Sequence, residues 1–229
     1  MKKLVVLTGA GISAESGIQT FRDADGLWEG HDIMEVATPE GFAKNPELVL
    51  DFYNQRRKQL HEVQPNAAHI ALAELEQYYD VTIITQNVDD LHERAGSTKV
   101  MHLHGELFKV RSVLDEQEIL DWKKDLTLED KSSSGAPLRP HIVWFGEAVP
   151  MMEQAIDATI KADYFMIVGT SMQVYPAAGL VDYTAPEIPI YYIDAHPAKI
   201  HDIGNPLYVI PKKATEGVLE VAEYLQQNA

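Results

Sequence analysis

Two histidines, His102 and His104, stand two residues apart in the stretch MHLHGE. That spacing puts both on one strand face and raises two chemistries. One is a metal pair, which needs a third ligand from elsewhere. The other is a general base, for which an imidazole of ordinary pKa near 6.5 is suited. His104, just before Gly105, is the candidate base or a structural histidine, and His102 reads as a hydrogen-bonded core histidine. A second group is Gly9, Gly11 and Ala14, which spell G-x-G-x-x-A after the apolar run Leu4 to Leu7. The spacing fits either a backbone cradle for a pyrophosphate or a tight strand-to-helix connection. Gly17 then breaks the helix early, and the stretch IQTFRDADGLWEG contains no apolar strand, unlike a hydride-transferring dinucleotide fold.

Asn87 and Asp89 in QNVDD follow another apolar run. An amide and a carboxylate there either meet a ligand or make a turn unaided. In NPELVLDFYNQRRKQLHEV, the residues Val49, Tyr53, Arg56, Leu60 and Val63 recur at steps of four and three, hence on one helix face. Arg56 interrupts that apolar stripe. It either snorkels to water or a structural carboxylate, or joins Tyr53 in clamping an anionic group.

These residues need a scaffold. Apolar, β-branched runs at Leu4 to Leu7, Val81 to Ile84, Val100 to Leu103, Tyr164 to Val168, Ile188 to Ile193 and Leu207 to Ile210 read as strands. Helices are expected between them: one capped by Asn45 with Pro46 at its first position, one capped by Asn66, and others at Met152 to Ala162 and Thr215 to Gln226. The alternation predicts an α/β fold, a doubly wound, mostly parallel, Rossmann-like sheet, with ligands at the carboxyl ends of the strands. Glycine-rich and polar residues do follow each strand. Residues 109–141 depart from this rhythm and read as a small inserted module.

The chain has 229 residues, 45% of them apolar, enough for one substantial core. Its net charge of −16 argues against nucleic acid and anionic membrane as partners. The apolar run after Met1-Lys2-Lys3 is too short for a signal-peptide core. With no cysteine there is no thiolate zinc site and no cysteine nucleophile, which is compatible with a reducing cytoplasm.

Together, GAGISAESGIQTFRDADGLW, TQNVDDLHERAG, HLHGEL, HIVWFGE and GTSMQVYPAAG resemble the ordered motifs of the sirtuins, NAD-dependent protein-lysine deacylases, over nearly the whole chain. The Tyr53 and Arg56 pair resembles that of the class III members, whose substrates include succinyl- and malonyl-lysine. The resemblance implies one catalytic domain over 1–229, with a Rossmann-like core at about 1–30, 66–108 and 142–229. A helical segment would occupy 31–65 and a zinc-free module 109–141. Gly9, Ala10, Gly11 and Ser13 would hold the NAD pyrophosphate, with Thr20, Phe21, Arg22 and Trp28 in a cofactor-binding loop. Gln86, Asn87, Val88 and Asp89 would surround the nicotinamide half. Gly169, Thr170 and Ser171 would meet the adenosine half, Asp194, Ala195 and His196 its ribose, and Ala214 the adenine. His104 would be the base, with Asn87 also catalytic. The peptide would add as a strand along Val143, Phe145, Gly146 and Glu147 on one side and Val174 on the other, leaving Tyr53 and Arg56 for the acyl group.

By the same resemblance, the acyl oxygen attacks the NAD ribose and nicotinamide leaves. His104 then deprotonates a ribose hydroxyl, and water releases free lysine and O-acyl-ADP-ribose. Mono-ADP-ribosyl transfer, and a noncatalytic NAD or acyl-peptide module, are the competing readings. The expected partner is acylated lysine in proteins or peptides, with the protein a cytoplasmic monomer. Three departures stand out. Gln19 replaces a usual proline, Asp90 adds charge near the nicotinamide side, and the four zinc-binding cysteines are missing, Ser112 and Ser132 to Ser134 lying in their neighbourhood. No zinc is expected, and Val113, Leu114, Ile119, Leu120, Trp122, Leu126, Leu128 and Leu138 are expected to form a satellite core instead.

Overall fold

The computed structural model describes residues 1–19, 27–28, 30–200 and 203–229, with 27–28 as backbone only. In chain order its strands are β1 (Lys3–Thr8), β2 (Leu27–Trp28), β3 (His31–Asp32), β4 (Asp80–Thr85), β5 (Val100–His102), β6 (Gly105–Ser112), β7 (Ile119–Asp121), β8 (Leu138–Ile142), β9 (Tyr164–Val168), β10 (Ile190–Ile193) and β11 (Leu207–Ile210). The α-helices are α1 (Ile33–Val36), α2 (Pro39–Lys44), α3 (Pro46–Glu62), α4 (Ala67–Glu74), α5 (Leu91–Ala95), α6 (Met152–Ile160) and α7 (Ala214–Gln227).

Six strands form a parallel sheet in the order β11-β10-β9-β1-β4-β5, a Rossmann-like α/β fold. Burial on both faces explains the unbroken apolar runs. Along β1, Leu4 and Val6 join the core under α4 and α7, while Val5 and Leu7 join the opposite core under α6. The order of connection reverses between β1 and β9, which opens a crevice at their carboxyl ends.

The helix caps follow the sequence. The Asn45 side chain accepts from the Leu48 N–H, and Asn66 forms a reciprocal capping box with His69. Two strand limits shorten: β5 ends at His102 and β10 begins at Ile190. Among the described residues no helix is long and apolar enough to cross a membrane.

The inserted module is an antiparallel sheet in the order β7-β6-β8, and β6 and β8 reach past 109–141 to Gly105 and Ile142. The satellite core expected there does not form as a unit. Leu126 and Leu138 are buried and Trp122 partly so, but Leu114 is 80% exposed and Val113, Ile119, Leu120 and Leu128 also face solvent. Three short strands enclose too little volume, so Leu126 and Leu138 pack instead with Val110 and with Leu50 of α3. Polar bonds complete the anchorage. Asn54 accepts from the Leu126 N–H at 2.8 Å and donates to the Leu126 carbonyl at 3.0 Å. The Arg57 guanidinium, 1% exposed, donates to the carbonyl of Leu107 and to Asn54 Oδ1. The serines close turns: Ser112 Oγ accepts from Leu114 and Asp115 N–H groups, and Ser132 Oγ accepts from Ala136 N–H and pairs with Ser134 Oγ. Among the described residues no cluster of three or more His, Asp or Glu could hold a metal ion.

Candidate active site

At the switch between β1 and β9 the two backbones touch. The N–H of Gly11 donates to the Gly169 carbonyl at 2.8 Å and that of Gly9 to the Val168 carbonyl at 3.0 Å. A Cβ on Gly11 would lie 2.6 Å from Gly169 Cα, and one on Gly169, whose φ is +63°, would lie 2.4 Å from Ile12 N. Glycine is therefore required at both positions by close approach. The turn is a tight connection between two crossing backbones. The N–H groups of Gly9, Gly11, Ile12 and Ser13 already donate to protein carbonyls, and two short 3-10 turns, Ala10–Ile12 and Ala14–Ser16, replace the expected helix. What the glycines supply is a floor without side chains.

Beside that floor lies a buried polar knot. The Ser13 hydroxyl donates to Asp89 Oδ2 at 3.0 Å and accepts from Asn87 Nδ2 at 3.2 Å. Asp89 Oδ1 accepts from the Leu91 N–H, so the residue makes an Asx turn and lines the cleft together. Burial raises its pKa to about 6, against the opposing bonds from Leu91 and Ser13. Asp90, by contrast, pairs with Arg94 and lies outside the cleft wall, and its charge adds to the rise at Asp89.

His104 sits in the turn after β5, with Nδ1 3.0 Å from the Gln86 carbonyl. A carbonyl only accepts, so the ring proton is on Nδ1 and Nε2 carries the lone pair. Burial holds its pKa below the usual histidine value despite that bond, which keeps the ring neutral at pH 7. His102 is held differently. Nδ1 bonds the Asn87 carbonyl and Nε2 meets Glu93 at 2.7 Å, which offsets burial and raises its pKa. The two histidines thus differ in kind, His102 tied to a carboxylate with its pKa raised and His104 held by a backbone carbonyl with its pKa lowered.

A further wall comes from α3, β8 and the segment after it. Arg56 is half-buried in this wall and lies over the Phe52 ring at 5.3 Å. Tyr53 is fully covered, and its oxygen accepts from Trp144 Nε1 at 2.9 Å. Glu147 is a structural carboxylate: Arg139 meets both its oxygens, Arg111 meets one, and the Trp144 N–H donates to it.

The glycine turn, Ser13, Asn87, Asp89, His104, Tyr53, Arg56, Trp144 and Glu147 line one cleft of about 1160 Å³. A model of the Sir2 family matches residues 9–176. The chain belongs to the Sir2 family. It is 63% identical over 201 residues to an NAD-dependent protein deacylase of Helicobacter pylori, covering 88% of each chain. An NAD-dependent protein deacylase of Bacteroides thetaiotaomicron is 53% identical over 231 residues, covering 98% of each. A solved Sir2 homologue, the S24A mutant in complex with ADP-ribose, superposes with a TM-score of 0.90 at 40% identity, covering 99% of this chain and 93% of that one.

This Sir2 chain gathers its expected residues into that single cleft. Gly9, Ala10, Gly11 and Ser13 line it with Gln86, Asn87, Val88 and Asp89. Gly169, Thr170 and Ser171 follow β9, Asp194, Ala195 and His196 follow β10, and Ala214 begins α7. His104, Tyr53, Arg56, Val143, Phe145, Gly146, Glu147 and Val174 complete the wall. Thr20, Phe21 and Arg22 lie outside the described residues, as does the Trp28 side chain. A dinucleotide fits the strand-end part of this wall, where a glycine floor meets the polar ends of four strands. Sequence reasoning missed the apolar lining of Ile18, Ile33, Ala37, Leu107 and Ile142, and it missed Trp144.

Proposed function

We propose that this Sir2-family enzyme uses NAD to remove acyl groups from protein lysine in the cytoplasm, with a preference for acidic acyl groups such as succinyl and malonyl. The products would be nicotinamide, O-acyl-ADP-ribose and free lysine. The observation that carries the reading is the neutral His104, its Nε2 left basic by the Nδ1 bond to Gln86, in a cleft shared with the glycine floor and Arg56. Bound NAD supplies an electrophilic ribose carbon with nicotinamide as leaving group.

The protein's share is positioning and proton transfer. Asn87 and Asp89, locked through Ser13, present an amide and a carboxylate beside the floor. His104 takes a hydroxyl proton onto Nε2. Phe145, Gly146 and Val174 are exposed and line two sides of the cleft, an arrangement that would suit a peptide adding as a strand. Arg56 supports the acyl preference, because a guanidinium fork in an otherwise apolar wall suits a carboxylate at the end of the acyl chain. The test is steady-state kinetics on one peptide carrying acetyl-, malonyl- or succinyl-lysine. Higher kcat/KM for the two acidic groups supports the preference, and a faster acetyl reaction rejects it.

A further inference from the structure

Trp144 joins two parts of the cleft that lie far apart in sequence. Its indole Nε1–H donates to the Tyr53 hydroxyl oxygen at 2.9 Å, with the ring centroids 6.3 Å apart. The tryptophan is itself held on several sides. Its backbone N–H donates to Glu147 at 2.8 Å, the Arg139 guanidinium lies 3.4 Å from its ring centroid, and Phe42 packs at 5.3 Å. Arg139 is fixed in turn by both oxygens of Glu147, at 2.6 and 3.0 Å. A rigid unit therefore runs from the proposed peptide segment, Phe145 to Glu147, to the acyl wall at Tyr53.

We propose that Trp144 is a positioning residue that sets acyl choice, by holding the Tyr53 hydroxyl so that it meets an acidic acyl group as a hydrogen-bond donor. The inference rests on the acidic-acyl reading above. A phenol oxygen that already accepts from the indole enters a carboxylate contact through its own hydrogen. Accepting that bond also polarises the hydroxyl and makes it the better donor. Burial supports this role by pushing the phenol's pKa up and keeping the proton on it. An acetyl group ends in a methyl and gains nothing from such a donor, so the effect falls on the ratio between the two substrates.

The experiment measures kcat/KM for acetyl- and succinyl-lysine forms of one peptide in the parent protein, Trp144→Phe, Tyr53→Phe, the double variant and Arg56→Met. Phenylalanine keeps most of the ring packing and removes the N–H. Trp144→Phe should lower the succinyl-to-acetyl ratio roughly 3- to 10-fold, the range of one net hydrogen bond. It should lower it no further in the Tyr53→Phe background. A merely structural tryptophan would reduce both reactions alike and keep its effect in that background. An unchanged ratio in Trp144→Phe, beside a lowered one in Arg56→Met, overturns the role of Trp144 and leaves the acyl reading standing. Unchanged ratios in both overturn the acyl reading and this inference with it. If Trp144→Phe fails to fold, Tyr53→Phe deletes the same bond from the other partner, and its failure to lower the ratio overturns the proposal.

Discussion

The Nδ1 atom of His104 lies 3.0 Å from the carbonyl oxygen of Gln86, and that one bond decides which nitrogen can act as a base. Gln86 itself is tied across the sheet, its amide donating to Thr170 Oγ1 at 3.1 Å. The imidazole is thus oriented from the backbone of one strand end and steadied by another. Because the ring's pKa is lowered by burial, the active neutral form persists below pH 6.5.

His104→Ala should therefore reduce turnover about 100-fold or more, the usual scale for a general base, with NAD binding largely retained. The acid limb of kcat/KM against pH should fall at a midpoint below 6.5. Turnover above roughly a tenth of the parent value would remove His104 from this role.

Arg56→Met keeps the wall apolar and removes the fork. The succinyl-to-acetyl ratio of kcat/KM should fall roughly 10- to 100-fold, the scale of a charge-assisted hydrogen bond. Equal losses on both substrates would make Arg56 a structural residue.

The main sheet and most of the cleft were legible in the sequence. The parallel sheet declares itself through apolar runs each followed by polar and glycine residues, and Asn45 and Asn66 cap their helices as their types imply. Less legible were contacts between distant segments. Trp144 reaches Tyr53 across 91 residues, and Asn54 reaches Leu126 across 72. Nothing local in either partner specifies such a bond. The pattern around Gly11 is the same for an anion cradle and for two backbones crossing, so the sequence leaves both open. The crossing shows only in the distance to Gly169.

The module without cysteines should depend on the few side chains it buries. Leu126→Ala should cost about 2–4 kcal/mol, as for a filled core position, whereas Leu114→Ala should stay within about 0.5 kcal/mol. A chelator should leave Tm unchanged. Thermal melts of the two variants, with and without chelator, check this. A Tm lowered by chelation would show that a metal, and not packing and turn bonds, holds the segment.

Asp89 gives a pH-dependent stability. Its pKa rises from 3.8 to about 6 on folding because burial disfavours its charge. A raised carboxylate pKa means that the folded state holds the proton more tightly than the unfolded state. The penalty is therefore full above about pH 6 and is relieved as pH falls toward the unfolded value near 3.8. Asp89→Asn should raise Tm at pH 8 and do so by less at pH 4.5, while slowing the reaction. An equal change in Tm at both pH values would contradict a charge-based cause.

The most direct measurement of the central claim is the mass of every product. The protein is incubated with NAD and a succinyl-lysine peptide, and all species are identified by mass spectrometry. The account predicts nicotinamide, free-lysine peptide and O-succinyl-ADP-ribose in equal amounts, with the free-lysine peptide and O-succinyl-ADP-ribose formed at least about 100-fold more slowly when His104 is replaced by alanine. ADP-ribose attached to protein or peptide with the acyl group still on lysine, or no NAD-dependent loss of the acyl group, would contradict it.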